Sequence, residues 1–241
     1  MNSISVLIAA AFLLPGTTAL VGLTWSISDT PSTGLMDITF PISIANAPHE
    51  TGFYFAQQFN FVNLSDVGYT GLQPRPDKNG ASIVHAAFSS FVAGTTSTDE
   101  NCSNGADGGA GVSCSIEIPA PYSPLYHLIV QNTAGTTWRG TLVDTESGNS
   151  TRIGEYTLPA GAGGIKSTQV GFIEYYPWNS VPSHSCGSLP YTNVTFLDPF
   201  TLTVGAGEGR VDKPYEYGDC VGKANFDVET LHDGYEASVG F

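Results

Sequence analysis

Apolar and polar residues alternate along most of the chain with the period of two that is typical of β-strands. In MDITFPISI, alternate residues from Met36 to Ile44 are apolar. FYFAQQFNF places Phe53 and Phe55 on one face and Tyr54 on the other. Further alternating segments are ASIVHAAFSSFVAG, PLYHLIVQN, TTWRGTLVD, TRIGEYTL, STQVGFIEYYPW and PFTLTVG. No window of helical length shows a 3.6 period. We predict an all-β fold, an antiparallel β-sandwich of the jelly-roll or concanavalin-like type.

The N-terminal segment has the features of a secretory signal peptide. An apolar run from Ile4 to Leu14 is followed by Pro15 and Gly16 and then by small residues up to Ala19. The run is too short to span a bilayer, and small residues before the break suit signal peptidase. We predict a signal peptide over residues 1–19. Residues 20–241 are predicted to form a single β-sandwich domain with a C-terminal extension from about residue 205.

Charge and cysteine content narrow the class of protein. The formal net charge is −14, so nucleic acid and anionic membranes are not expected partners. An even number of cysteines in a secreted chain indicates disulfides, and four cysteines allow three pairings. We favour Cys102–Cys114, which closes a Gly-rich loop, and Cys186–Cys220, which ties down the C-terminal region. The chain is expected to be an extracellular monomer.

Surface loops are indicated by four glycosylation sequons, which also point to a eukaryotic secretory route. The acceptor residues are Asn63, Asn101, Asn149 and Asn193. The loop from Asp99 to Asp107 offers oxygen ligands for Ca²⁺, but its spacing matches no known calcium loop. A solvated disulfide loop is therefore the favoured interpretation, and no cofactor or metal is predicted.

Several short motifs resemble an uncharacterised secreted family, catalogued as a domain of unknown function, that occurs in bacteria and fungi. They are Gly71-x-Gln73, Ile153-Gly154 and Phe172-Ile173-Glu174, within a succession of strands that runs from Phe53 to Asn179. The resemblance implies a β-sandwich, secretion and a connection to polysaccharides. It implies no specific activity, so the site must be argued from the residues.

Glycan recognition on a sheet uses aromatic rings for the C–H faces of sugars and planar polar groups for pairs of hydroxyls. The strands offer both kinds of side chain at alternate positions. The predicted substrate-binding residues are Tyr54, Gln58, Gln73, Arg75, Arg139, Tyr176 and Trp178.

Glu174 is the first predicted catalytic residue, because strand alternation places it with Phe172, Tyr176 and Trp178. A carboxyl group among aromatic rings should have a raised pKa, since desolvation disfavours its charged form. That property suits a general acid, and it equally fits an acceptor for sugar hydroxyls. His85 and Tyr69 are the other predicted catalytic residues, as candidate bases.

Three functions remain open. The favoured one is a secreted protein that binds or processes an extracellular polysaccharide, with an extracellular glycan as its partner. An enzyme would more readily be a polysaccharide lyase than a glycoside hydrolase, because a hydrolase needs two carboxylates and Asp144, Glu155 and Glu117 compete only weakly for the second role. The third is a non-enzymatic structural or host-interaction protein.

Overall fold

The computed structural model of the protein describes residues 19–181 and 183–241. The predicted signal peptide therefore lies outside the described residues, apart from Ala19. The strands are β1 Ala19–Ile27, β2 Asp37–Ser43, β3 Phe53–Asn60, β4 Val67–Lys78, β5 Ala81–Ser90, β6 Cys102–Ala106, β7 Gly109–Pro119, β8 Tyr126–Ala134, β9 Thr137–Asp144, β10 Ser150–Thr157, β11 Thr168–Tyr175, β12 Thr192–Leu197, β13 Gly209–Val211, β14 Tyr215–Glu216, β15 Asp227–Leu231 and β16 Gly234–Val239. Two short 3₁₀ helices cover Tyr176–Ser180 and Cys186–Ser188. Across the part of the chain that is described, no helix is both long and apolar enough to cross a membrane.

These strands form two antiparallel sheets that pack face to face. The first sheet has the order β13-β1-β11-β3-β4-β5-β7-β6, with β14 also paired to β1. The second has the order β10-β9-β8-β2-β12-β16-β15. The predicted all-β antiparallel sandwich is thereby confirmed.

The core lies between the sheets and consists mainly of large aromatic and aliphatic side chains. Phe88 of the first sheet stacks on Tyr156 of the second with ring centroids 4.4 Å apart. Phe61 packs on Trp138 at 5.0 Å. Inward residues alternate with outward ones along each strand, as sandwich packing requires. The outward face of the first sheet therefore carries the alternate residues of its strands, which include polar and aromatic side chains.

The C-terminal region is part of both sheets. Strands β13 and β14 join the first sheet, while β15 and β16 join the second. The segment that was predicted as an extension thus completes the sandwich. Both predicted disulfides are confirmed: Cys102–Cys114 joins β6 to β7, and Cys186–Cys220 ties the segment after β11 to the region before β15.

The sequon residues differ in their surroundings. Asn63 and Asn149 are exposed, and Asn101 is half-buried. Asn193 is only 5% exposed, and its Nδ2 donates to Glu236 Oε1 at 2.9 Å. The prediction of a glycan at Asn193 is at odds with this position, because an attached sugar would have to displace that contact. The sequence pattern could not show this, since a sequon carries no information on burial.

The Cys102–Cys114 disulfide packs directly on the second sheet at Gly154. A Cβ at that position would lie 2.4 Å from the Cys114 Cβ and 2.7 Å from the Cys102 Sγ. We expect Gly154→Ala to lower the free energy of unfolding by about 1–3 kcal/mol, because two rigid elements would have to separate. Urea denaturation measures the change. Gly187→Ala is the matched control, since a Cβ there meets nothing within 4 Å; equal stabilities of the two variants would contradict the close packing.

Candidate active site

A row of polar and aromatic side chains crosses the outer face of the first sheet. Glu174 on β11 lies opposite Tyr54 on β3, and the β3–β4 register places Tyr54 opposite Gln73. Gln73 lies opposite His85 on β5, and His85 opposite Glu117 on β7. Neighbouring strands are about 4.8 Å apart, so the Glu174 and Gln73 backbones are about 10 Å apart. The structure thus brings four predicted site residues into one row.

The Tyr54 ring leans along its strand instead of standing within this row. Its Cε2 lies 2.7 Å from where a Cβ of Gly71 would be, so the glycine makes the room that the ring occupies. The ring also meets Phe172 edge to face, with centroids 5.9 Å apart. Gly71 and Phe172 both pair with Ala56, which lies two residues along β3 from Tyr54. Glu174 and Gln73 therefore lie on either side of a position in the row from which the Tyr54 ring is displaced.

Glu174 is buried within this face. The residue is only 7% exposed, and the Asn179 Nδ2 donates a hydrogen bond to the Glu174 Oε1 at 2.6 Å. Burial raises the pKa of the carboxyl group, the Asn179 hydrogen bond acts against this, and the negative charge of Asp107 adds to it. The predicted rise in pKa is thus present, and desolvation is its main cause.

The turn after β11 supplies the hydrogen-bond partner of Glu174. The strand ends at Tyr175, and the 3₁₀ helix Tyr176–Ser180, with Pro177 in its first turn, carries Asn179 back to the carboxyl group. Trp178 points elsewhere, because it is buried against Tyr175 with ring centroids 5.4 Å apart. The prediction that Trp178 shares the Glu174 face is corrected, since strand alternation stops before it. Asn179 was not among the predicted site residues, although Pro177, two residues before it, is a signal for a turn.

Tyrosine residues surround the buried carboxyl group. Burial raises the pKa of Tyr69 to about 12, and the charges of Asp107 and Glu174 contribute. Burial also raises the pKa of Tyr54 and of Tyr217 well above the usual range, with Glu174 as the next cause in each case. These phenols therefore remain protonated, and the rings of Tyr54 and Tyr69 both pack edge to face on Phe172. The predicted role of Tyr69 as a base is not favoured by this environment. Tyr217 and Asp107, which come from distant segments, were missed.

Arg75 and its partners form the other end of the row. The guanidinium donates from Nη2 to Gln73 Oε1 at 2.8 Å and from Nε to Glu117 Oε1 at 2.9 Å. Its Nη1 donates to Pro74 O at 3.1 Å and Tyr176 Oη at 3.3 Å. These donors are thus directed at protein groups, and the Glu117 pKa is lowered mainly by its hydrogen bond from Arg75.

His85 lies between Gln73 and Glu117 in the row. Burial and the nearby Arg75 charge lower its pKa, while Glu117 raises it to a smaller extent. Its Nδ1 is 3.6 Å from Glu117 Oε1, which is too long for a hydrogen bond, and this buried nitrogen has no partner within the described residues. Burial and the Arg75 charge thus disfavour the protonated imidazole, and its Nδ1 is left without a hydrogen-bond partner inside the protein.

Some predicted residues lie away from this row. Arg139 is on β9 of the second sheet, where its Nη2 is 2.8 Å from Glu155 Oε2. Asp144, at the end of β9, accepts hydrogen bonds within its own turn. Gln58 shares the outer face but lies opposite Tyr69, four residues along β3 from Tyr54. Sequence alternation gives the face of a strand and leaves open which sheet the strand joins.

Asp99 and Asp107, the two ends of the loop considered for calcium, lie in different surroundings. Asp99 Oδ2 lies 3.1 Å from Arg152 Nε, whereas Asp107 is at the β6–β7 turn facing the tyrosines. Another group of potential metal ligands among residues 19–181 and 183–241 is His184, Cys186, Asp219 and Cys220. Its cysteines are joined in a disulfide, so they offer no thiolate. Calcium binding at the Asp99–Asp107 loop stays the less favoured alternative to a solvated disulfide loop.

Comparisons with known proteins give a structural likeness and no sequence family. No family model and no curated protein matches the chain. The solved structure described as Scytalido-glutamic peptidase with a peptide based transition state analog is similar with a TM-score of 0.51 and 12% identity, over 93% of this chain and 99% of that one. The same peptidase with a transition state analog inhibitor gives 0.50 at 12% identity, with the same coverage of both chains.

A third solved structure is SCP-B, described as a member of the Eqolisin family of Peptidases in complex with the tripeptide Ala-Ile-His. It gives a TM-score of 0.47 at 11% identity, over 93% of this chain and 99% of that chain. At such identities the likeness concerns the fold alone. This chain is therefore similar in fold to β-sandwich peptidases.

Proposed function

We propose that this protein hydrolyses peptide bonds under acidic conditions, with Glu174 as its general base and acid. The observation that carries the proposal is the buried carboxyl group of Glu174, whose pKa is raised, set in one row with the Gln73 amide. A group that gives and takes protons works best when its pKa is near the working pH. The likeness in fold to Scytalido-glutamic peptidase supports hydrolysis as the class of reaction.

The two groups suffice for hydrolysis of an amide. The Glu174 carboxylate takes a proton from a water molecule, and the oxygen of that water forms a bond to the substrate carbonyl carbon. The carbonyl π electrons move to its oxygen, where the Gln73 NH₂ group donates a hydrogen bond to the developing negative charge. The protonated Glu174 then gives its proton to the amide nitrogen, and the electron pair of the oxyanion re-forms the C=O bond as the C–N bond breaks. The products are a carboxylic acid and an amine, and Glu174 is ionised again.

A glycoside hydrolase is less well supported by the same geometry. Such enzymes hold two carboxyl groups about 5 to 9.5 Å apart, on either side of the scissile bond. Glu117, in the same row, is four strands from Glu174, or about 19 Å between backbones. It is also bound to Arg75. Asp144 and Glu155 belong to the second sheet. Binding or processing of a glycan stays a prediction and is an outcome of the tests below.

Replacing Glu174 tests the proposal directly. We expect the wild-type protein to cleave denatured protein or a peptide library at acidic pH, with a rate that falls on the acid side of the profile as the Glu174 carboxylate becomes protonated. Glu174→Gln should lower kcat by about 10²- to 10⁴-fold, because an amide neither gives nor takes the proton. Mass spectrometry of the products measures cleavage. The exposed Glu229 of β15 offers the control Glu229→Gln. Full activity of Glu174→Gln, or release of reducing sugars and no peptides by the wild type, would contradict the proposal.

The same variant should alter stability with pH in a definite direction. Because the folded-state pKa of Glu174 is raised, the folded protein retains a proton there that the unfolded chain has lost, and stability falls as pH rises between the two pKa values. We expect Glu174→Gln to unfold at a higher urea concentration than the wild type at pH 7. The difference should vanish near pH 3, where the carboxyl group is protonated in both states. A destabilised variant at pH 7 would argue that the ionised carboxylate is a structural partner.

Asp107 is the acid whose negative charge raises the pKa of Glu174. Removing its charge in Asp107→Asn should lower the pKa of Glu174, since one negative neighbour is lost. We expect the acid side of the pH–rate profile to move to lower pH by less than about one unit, with turnover at the optimum retained. Loss of turnover by more than about 100-fold would instead make Asp107 a second catalytic carboxyl group and favour a two-carboxylate mechanism.

A further inference from the structure

Arg75 makes a contact with Gln73 that the proposed reaction does not by itself require. The two residues are two positions apart on β4, so their side chains leave the sheet on the same face. The Arg75 Nη2 donates to Gln73 Oε1 at 2.8 Å. Two of the residues predicted to bind substrate, Arg75 and Gln73, are thus bound to each other, and Gln73 belongs to the proposed catalytic pair.

This contact fixes which way the Gln73 amide points. A guanidinium has five N–H donors and no acceptor, so only the amide oxygen can face it. The flipped amide would set NH₂ against N–H. The amide NH₂ group of Gln73 is therefore turned away from Arg75, and within the described residues it donates to no other group. A donor held in this way is available to a substrate carbonyl.

The guanidinium is itself held from two further directions. Glu117 accepts from Nε at 2.9 Å, and the Tyr176 hydroxyl accepts from Nη1 at 3.3 Å. The Tyr176 hydroxyl also accepts from the backbone N–H of Gly52 at 3.0 Å. The Arg75 side chain is only 15% exposed. The planar fork of Arg is suited to such directional contacts, whereas a Lys ammonium is a point charge on a flexible stem.

We propose that Arg75 is a positioning residue that orients and polarises the Gln73 amide. A charged donor on the amide oxygen draws electron density from the nitrogen and strengthens the N–H groups as donors. Glu117 and Tyr176 keep the guanidinium in place. The consequence for catalysis rests on the proposed function, while the orientation of the amide stands on the contacts alone.

The catalytic consequence is tested with Arg75→Met. We expect kcat for peptide cleavage to fall by about 10- to 100-fold, with KM changed less than about 3-fold, because a misplaced donor affects the transition state more than substrate binding. Arg75→Lys keeps the charge beside Glu117 but lacks the fork, so it should show the same change to a smaller extent. Arg152→Met is the matched control, since Arg152 also pairs through Nε with a carboxylate, Asp99, at 3.1 Å.

The orientation is tested without any substrate. The ¹⁵N heteronuclear NOE of the Gln73 side-chain NH₂, assigned by its disappearance in Gln73→Glu, should show a rigid group in the wild type and in Arg152→Met. It should show a mobile group in Arg75→Met and, to a smaller degree, in Arg75→Lys. Urea denaturation midpoints identify any variant that fails to fold.

Each outcome decides one claim. Increased mobility together with a lower kcat supports the positioning role. An equally rigid Gln73 amide in Arg75→Met and Arg75→Lys overturns it, whatever the activity. Increased mobility with unchanged kcat removes its part in catalysis. If the wild type cleaves no peptide at any pH, the proposed function fails, and the NOE still decides whether Arg75 orients Gln73.

Discussion

Removal of the Glu174 carboxyl group from water is the constraint on which the arrangement of the outer face depends. An acid with ordinary hydration would be ionised above about pH 4.3. Here burial holds its pKa higher, and the surrounding tyrosines are in turn kept protonated by burial and by the charge of Glu174. The packed core of the sandwich offsets the free energy cost of burying such a group. Asn179, whose hydrogen bond to Glu174 reduces this cost, lies in the turn that directly follows β11.

The sheet positions the acid and the amide on one face, and the glycine at residue 71 makes room for the Tyr54 ring beside them. Without a Cβ at Gly71, the Tyr54 ring can lie along its strand and leave the row. Arg75 then fixes the amide from the opposite side. A rigid β-scaffold with functional groups on adjacent strands suits chemistry that needs preorganised donors, since their orientation is set before substrate arrives. The backbone register of the strands therefore links the fold to the proposed activity, because it places the functional groups next to one another.

Strand alternation was sufficient to predict the sandwich, the inward aromatic residues and the outward positions of Tyr54, Gln73 and Glu174. A period of two fixes the face of each residue but not the neighbours of its strand. Arg139 shows the limit, because its strand joins the second sheet, and no local pattern distinguishes that strand from β4. Trp178 shows another, since Pro177 ends the alternation that assigned it. Tyr217 and Asp107 reach Glu174 through long-range folding, which only the tertiary structure reveals.

The most direct test of this account is the titration of the Glu174 carboxyl group itself. In protein labelled with ¹³C at glutamate side chains, the Glu174 resonance can be assigned by its absence from the spectrum of Glu174→Gln. Its chemical shift is then followed between pH 3 and pH 8. The account predicts a midpoint above the ordinary glutamate value of about 4.3. A midpoint at or below that value would contradict it, because an ordinary, hydrated carboxylate would have neither the burial nor the protonation behaviour that the proposed reaction uses.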